Sequence, residues 1–366
     1  MKKIFTLVAA ALCSMSMMAK EYTCPLVVNM MGTDMPVGDV KVNVDEQGEG
    51  KYTMSLLNFK MNDFMQIGNI VIKDVEATKC GNVIMLNAAK DIQITEGDDK
   101  NVEWMGPGLG NVNIIFKGEL KGNNFNAYLN IPLAGGMIVG VKLGEKCNEM
   151  GQLPNAGFEK FHEASYDNAK SQEPNGWHSF MSSTGSMAGM VSAAVHTYAS
   201  SEVRENAAED NKQCVKIVST PVKVGTLVVA SANGTITTGR LKAGSMTASS
   251  KDNCSFLDFS STGVDANGDP FYAVLNNKPD AMKVWVKFKA GEGNKNPKAT
   301  ISALLTNGKY AQDPEDKKHA ANIIGRANNS SIESKDEWQE ITIPFTYDNA
   351  EEMPKAALVT MSTCAV

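Results

Sequence analysis

Short bursts of period-two alternation between apolar and polar residues, repeated along 366 residues, restrict this chain more than any other feature. Val40, Val42 and Val44 alternate with Lys41 and Asn43, and Tyr52, Met54 and Leu56 resume after a turn around Gly48 and Gly50. Residues two apart share one face of a strand, so bursts of this kind, broken by Gly, Asn and Asp, predict strands joined by tight turns. About eight are predicted between Glu21 and Lys146. The first lies at residues 26–28 and later ones at 67–75, 112–116, 125–131 and 137–143, with a broken strand at 83–86 and 92–95. Turns at residues 121–124 and the AGG at 134–136 supply the positive-φ positions that hairpins require. About eight antiparallel strands in series can close on themselves, which removes the exposed sheet edges that invite aggregation.

The second half shows the same period. Met282, Val284, Val286 and Phe288 share one face, while Lys283, Trp285 and Lys287 share the other. Ile341, Ile343 and Phe345 point inward by the same logic. The expected fold class is all-β: an N-terminal eight-stranded antiparallel barrel and a C-terminal β-sandwich. Gly151 and Pro154 end one periodic segment and another starts at Ala156. The expected divisions are therefore a signal peptide at 1–19, a barrel domain at 20–149 and a second domain at 150–366.

MKKIFTLVAAALCSMSMMA at residues 1–19 has two lysines, a short apolar run and small residues before Ala19, the pattern of a secretory signal. The run is shorter than a membrane span, and none is expected later. The expected location is secreted, periplasmic or on the outer cell surface. With a formal net charge of −6 and no basic cluster, the chain lacks what phosphate neutralisation requires, so nucleic acid is not an expected partner. Cys13 leaves with the signal, while Cys24, Cys80, Cys147, Cys214, Cys254 and Cys364 remain, either as disulfides or as buried thiols. Met30, Met31, Met35, Met54, Met61, Met65 and Met85 either fill a core or line a cavity for a small apolar ligand.

Three segments of the first half, MPVG at 35–38, YTMSLLNF at 52–59 and GNIVIKDV at 68–75, resemble the calycin-like β-barrel domain of secreted bacterial proteins. That resemblance implies a lipocalin-like barrel able to hold one small apolar ligand. In the second half NAGFE at 155–159 and PNGW at 174–177 resemble the entry to jelly-roll carbohydrate-binding modules. ANGTITTGR at 232–240, GDPFY at 268–272, PDAMKVWVKF at 279–288 and DEWQEITIPF at 336–345 follow in the order of a domain family provisionally named for carbohydrate metabolism. The resemblance implies a jelly roll with a polysaccharide partner. Such domains finish on a strand with an acidic pair, whereas this chain finishes MSTCAV, so a last strand is expected to be missing or supplied by a protein partner.

Sugars present apolar C–H faces that stack on exposed aromatic rings. Trp285, set between Lys283 and Lys287, is accordingly the leading glycan-contact candidate, with packing beneath a loop as the alternative. Trp177, His178 and Tyr272 are further ligand-binding candidates, although Trp177 also suits the cap of a sandwich end. Asp265, Asn267 and Asp269 have the alternate spacing of a calcium loop, but Pro270 and Asn276 replace its glycine and its bidentate glutamate, and a hairpin turn explains the same residues. Asn155 and Glu159 are implied, by likeness to related jelly rolls, as companions of a structural calcium; no other cofactor is expected. There is neither GxSxG nor HExxH, and of the enzyme classes only glycoside hydrolysis is retained, through acids such as Asp269 and Glu315. The expected function is non-catalytic glycan binding at a cell surface. The alternatives are an assembly subunit completed by strand exchange and a carrier of a small apolar ligand.

Overall fold

The alternating bursts of the first half extend into strands longer than the bursts themselves. They are β1 (Lys20–Met30), β2 (Thr33–Gly48), β3 (Lys51–Lys60), β4 (Gln66–Cys80), β5 (Val83–Gln93), β6 (Asn111–Lys121), β7 (Asn124–Pro132) and β8 (Ile138–Leu143). This computed structural model describes residues 19–30, 33–62, 64–80, 83–132, 138–144, 153–205, 207, 211–247, 249–260, 262–275, 277–293, 297–348 and 351–363. The signal-peptide reading up to residue 18, Met31, the AGG turn, Cys147, the linker at 150–152, Asn276 and Cys364 lie outside the described residues.

Each strand pairs antiparallel with the next, and β1 returns to β8 with Leu26 opposite Leu143 and Val28 opposite Val141, closing the barrel. Closure gives every strand two partners and leaves no edge. The turn between β2 and β3 places Gly48 at φ +86° and Gly50 at +73°, where a Cβ would be strained. Inward-facing Leu26, Met54, Ile72, Phe116 and Leu143 are fully buried in one apolar cluster. Side chains fill the barrel, and Met54 is one of them.

The expected break near residue 87 is absent, because β5 is one continuous strand. Its opening run, VIML, has no alternation since both faces are covered. Ile84 and Leu86 pack with the barrel core, whereas Val83 and Met85 point away from it. They join Cys80 in a separate cluster with Leu257, Tyr272, Leu304, Ala311, Ile323, Ala356 and Leu358 of the second half. One barrel hairpin is thus docked on the C-terminal region.

That region is built on a six-stranded sheet. Its strand Ala356–Ser362 lies between Lys298–Thr306 on one side and Thr235–Thr237 with Ala273–Val274 on the other. Ile323–Glu333 pairs with the far side of Lys298–Thr306, and Thr346–Tyr347 follows it. One face carries Ile236, Ile301, Ala303, Leu305, Ala357 and Val359 into a second core. The hairpin of Ala281–Val286 with Gln339–Pro344 covers this core through Met282, Val284, Val286, Ile341 and Ile343. The opposite face meets the barrel hairpin. The last described strand, where the sequence suggested an unfinished sheet, is paired along both flanks.

Among the described residues Cys24, Cys80, Cys214 and Cys254 are free thiols. Burial pushes the Cys24, Cys80 and Cys254 thiols up to about 11. Because Met85 bridges the two halves, Met85→Ala should cost about 2–5 kcal/mol in urea unfolding. Met85→Asp should split the calorimetric transition into two; a single unshifted transition would show that the hairpin does not couple the halves.

Candidate functional site

Strand Ala281–Val286 alternates as its sequence requires, with Met282, Val284 and Val286 turned to the core and Lys283 and Trp285 outward. Trp285 is 38% exposed. The Arg204 guanidinium lies 4.7 Å from its ring centroid. Lys283 pairs with Glu340 at 2.7 Å and Lys287 with Glu202 at 2.5 Å. Glu340 stands directly opposite Trp285 across the hairpin. Lys287 holds the exposed Glu202 carboxyl below its ordinary range. The aromatic ring is thus framed by charged groups of both signs.

The other expected glycan contacts are inside the fold. Trp177 is 1% exposed, donates its indole N–H to the Pro154 carbonyl at 2.9 Å and meets Phe158 edge-on at 5.1 Å. Tyr272 is buried in the cluster under the barrel hairpin, against Phe259. His178 is fully buried. A polymer at the surface would meet none of the three, since all are packed inside the fold.

The calcium-loop spacing resolves as a turn. Asp265 Oδ1 accepts from the backbone N–H groups of Asn267 and Asp269, at 2.9 and 2.8 Å. Asn267 Nδ2 donates to Asp269 Oδ2, which also accepts from the Gly176 N–H at 2.8 Å. These side chains serve the backbone of the turn and a neighbouring loop. Asn155 and Glu159 are likewise occupied: the first accepts from the Glu159 and Lys160 N–H groups, the second from that of Lys212.

Asp265 has a second oxygen, and it faces a different set of residues. Strands β9 (Phe161–Tyr166) and β10 (Ala169–Pro174) form a hairpin through Asp167, whose φ of +50° suits the tight turn. Its register sets His162 opposite Glu173. His178 follows Trp177 and bridges to Thr237. Asp265 Oδ2 lies 3.4 Å from His162 Nε2 and 3.2 Å from His178 Nδ1; His162 Nε2 lies 3.7 Å from Glu173 Oε2. The side chains of Glu173, His178 and Asp265 are at most 2% exposed and that of His162 is 10% exposed. None of these approaches has hydrogen-bond geometry, so all four buried atoms are without a hydrogen-bond partner. Each such atom costs about 1–3 kcal/mol. Burial disfavours charge on His162, yet the carboxylates of Asp265 and Glu173 outweigh it and raise the imidazole to about 10. Burial would raise Asp265 too, but the two imidazoles beside it hold its carboxyl well below the usual range.

Spacing in the sequence does not announce this cluster, because strand register and a distant turn assemble it. The available signal was composition: of four histidines, His162 and His178 flank Glu173 within one short stretch.

Residues 18–143 match the family model described as the calycin-like beta-barrel domain. The N-terminal region is a calycin-like barrel. No curated protein matches the chain. Two solved structures align with it, both provisionally named glycoside hydrolases. That from Bacteroides thetaiotaomicron VPI-5482 is 11% identical, with 69% of this chain and 80% of its own covered at a TM-score of 0.36. That from Bacteroides vulgatus ATCC 8482 is 15% identical, with 57% and 87% covered at a TM-score of 0.34. Likeness at this level carries nothing about activity.

The buried tryptophan gives a direct check of these placements. Trp177→Ala should lower unfolding free energy by about 3–5 kcal/mol, measured in denaturant.

Proposed function

We propose that the protein is a secreted, surface-associated and non-catalytic glycan-binding protein in which Trp285 is the sugar platform. The observation that carries this reading is the ring of Trp285, exposed on the outer face of a strand whose inner face is fixed in the core. Pyranose C–H groups stack on such a ring, and the amphipathic surroundings suit a ligand with one apolar face and a hydroxyl rim. Arg204, Lys283, Glu340 and the Lys287–Glu202 pair stand where they can exchange hydrogen bonds with hydroxyls. Expendable surface ion pairs of this kind contribute little to folding, so rearranging them around a sugar costs little.

The carboxylates that a glycosidase reading would use are already engaged. Glu315 accepts from two of the three Arg326 guanidinium nitrogens, at 2.7 and 2.9 Å. Asp313 is half-buried, accepts from Ser302, and is raised above its ordinary value by desolvation. Asp269 is turned to the Gly176 N–H. In this reading the filled barrel acts as a spacer or docking module instead of a carrier. Trp285→Ala should weaken retention on the recognised polysaccharide at least tenfold, about 1.4 kcal/mol, with an unchanged unfolding midpoint. Absence of wild-type retention across a broad glycan array, or equal retention of the variant, would overturn it.

A second reading, assembly with a protein partner, is favoured by one hairpin. Thr220–Val224 and Leu227–Ala232 pair only with each other among the described residues. Val224, Leu227 and Val228 are exposed there, Leu227 at 68%. A free edge beside apolar side chains can accept an added strand. This reading expects light scattering to show oligomers that grow with concentration and are lost in Leu227→Lys; a strict monomer at high concentration counts against it.

A further inference from the structure

We propose that His162, Glu173, His178 and Asp265 form a buried binding site for one divalent transition-metal ion of the zinc class. Four polar atoms from separate parts of the chain, His162 Nε2, Glu173 Oε2, His178 Nδ1 and Asp265 Oδ2, are buried together without hydrogen-bond partners. The ligand atoms of His162, Glu173 and Asp265 all lie within 4.8 Å of one another, with His162 Nε2 at 3.4 Å from Asp265 Oδ2 and 3.7 Å from Glu173 Oε2, and His178 Nδ1 joins them from the Asp265 side at 3.2 Å. Bonds of about 2.0–2.1 Å to a tetrahedral zinc place neighbouring ligand atoms about 3.3 Å apart.

The atoms on the far side of each group are all held. His162 Nδ1 lies 3.1 Å from Asn175 Oδ1, and His178 Nε2 lies 3.1 Å from the Pro270 carbonyl. Both acceptors call for an N–H on that nitrogen, which leaves the lone pair of a neutral imidazole directed at the cluster. Glu173 Oε1 accepts from the Ser179 N–H at 2.7 Å and from the Ser179 hydroxyl. Asp265 Oδ1 is held by the Asn267 and Asp269 N–H groups, so its Oδ2 is the oxygen left over. Such outer contacts fix ligand orientation before an ion arrives.

The donor set chooses the class of ion. Two imidazole nitrogens and two carboxylate oxygens suit zinc and its neighbours, whereas calcium takes six to eight oxygens. The two carboxylates neutralise one divalent charge. Two imidazolium protons would neutralise the same carboxylates, but each N–H would then have to point at an oxygen, and none of these contacts has that geometry. All four ligand atoms are buried. The ion would be structural, fastening the β9–β10 hairpin to His178 and to the turn at Asp265.

The test uses the full chain, purified without chelator and analysed for metal. About one zinc per chain is expected. After removal by a strong chelator, Zn²⁺ should raise the melting temperature by about 5 °C or more, and Ca²⁺ should not. Co²⁺ should give the intense visible bands of a tetrahedral site, lost in His178→Ala and Glu173→Gln. Should either variant fail to fold, the wild-type titration decides alone. No response of chelated wild-type protein to Zn²⁺ or Co²⁺, or stabilisation by Ca²⁺ only, would overturn the proposal and leave an imidazolium–carboxylate cluster.

Discussion

Burial of one strand on both faces holds the two halves of this molecule together. In Ala356–Ser362 the residues Ala357 and Val359 enter the core beneath the hairpin of Ala281–Val286, while Ala356 and Leu358 face Val83 and Met85 of the barrel. A strand in this position cannot alternate, and its sequence, AALV, does not. Hydrogen bonding agrees with the packing, since the strand has partners along both flanks and no polar backbone edge is left beside the apolar contact. Beyond Val359 the barrel-side face turns polar: Thr360 meets Ser255 and Thr237, and Ser362 meets Thr235. The docking area therefore ends within the strand. Burial on the second face packs the barrel against its neighbour.

Two-sided burial also explains which parts of the fold were legible from sequence. One-sided strands were, because alternation reports directly on a strand with one wet face. β1, β2 and β3 contain Leu26–Val28, Val40–Val44 and Tyr52–Leu56 and run beyond them at both ends. Where a partner covers the second face the period disappears, and VIML in β5 read as a fragment for that reason. The candidate site divides the same way. The outward placement of Trp285 followed from period two within its own strand, whereas the burial of Trp177, His178 and Tyr272 depends on elements far away in the chain, and no local pattern reports them.

Asp265 shows how one side chain can satisfy two readings. Its spacing with Asn267 and Asp269 suggests a cation loop, and one of its oxygens does bind the backbone of that turn. The other oxygen leaves the turn and meets imidazoles contributed by β9 and by the segment after Trp177. Removing ionised groups from water is costly unless attraction among them and fixed hydrogen bonds compensate. Here every outer atom is held by a hydrogen bond while the inner four are not. That asymmetry is the basis of the proposed ion site, and an apolar replacement would not reproduce it.

The buried cluster and the strand that carries Trp285 pack on one core. His178 is held by the Pro270 carbonyl and lies beside Asp265, and the residue before it, Trp177, is fully packed in the core that also receives Met282, Val284 and Val286. Those three side chains set the height and tilt of the strand whose other face carries Trp285. For the proposed stacking role a strand held in place before the ligand arrives is an advantage, because immobilising groups on binding subtracts from affinity. The inward residues of Ala281–Val286 provide that order beforehand, and the polar cluster at the sandwich end holds in place the loop that completes the core beneath them.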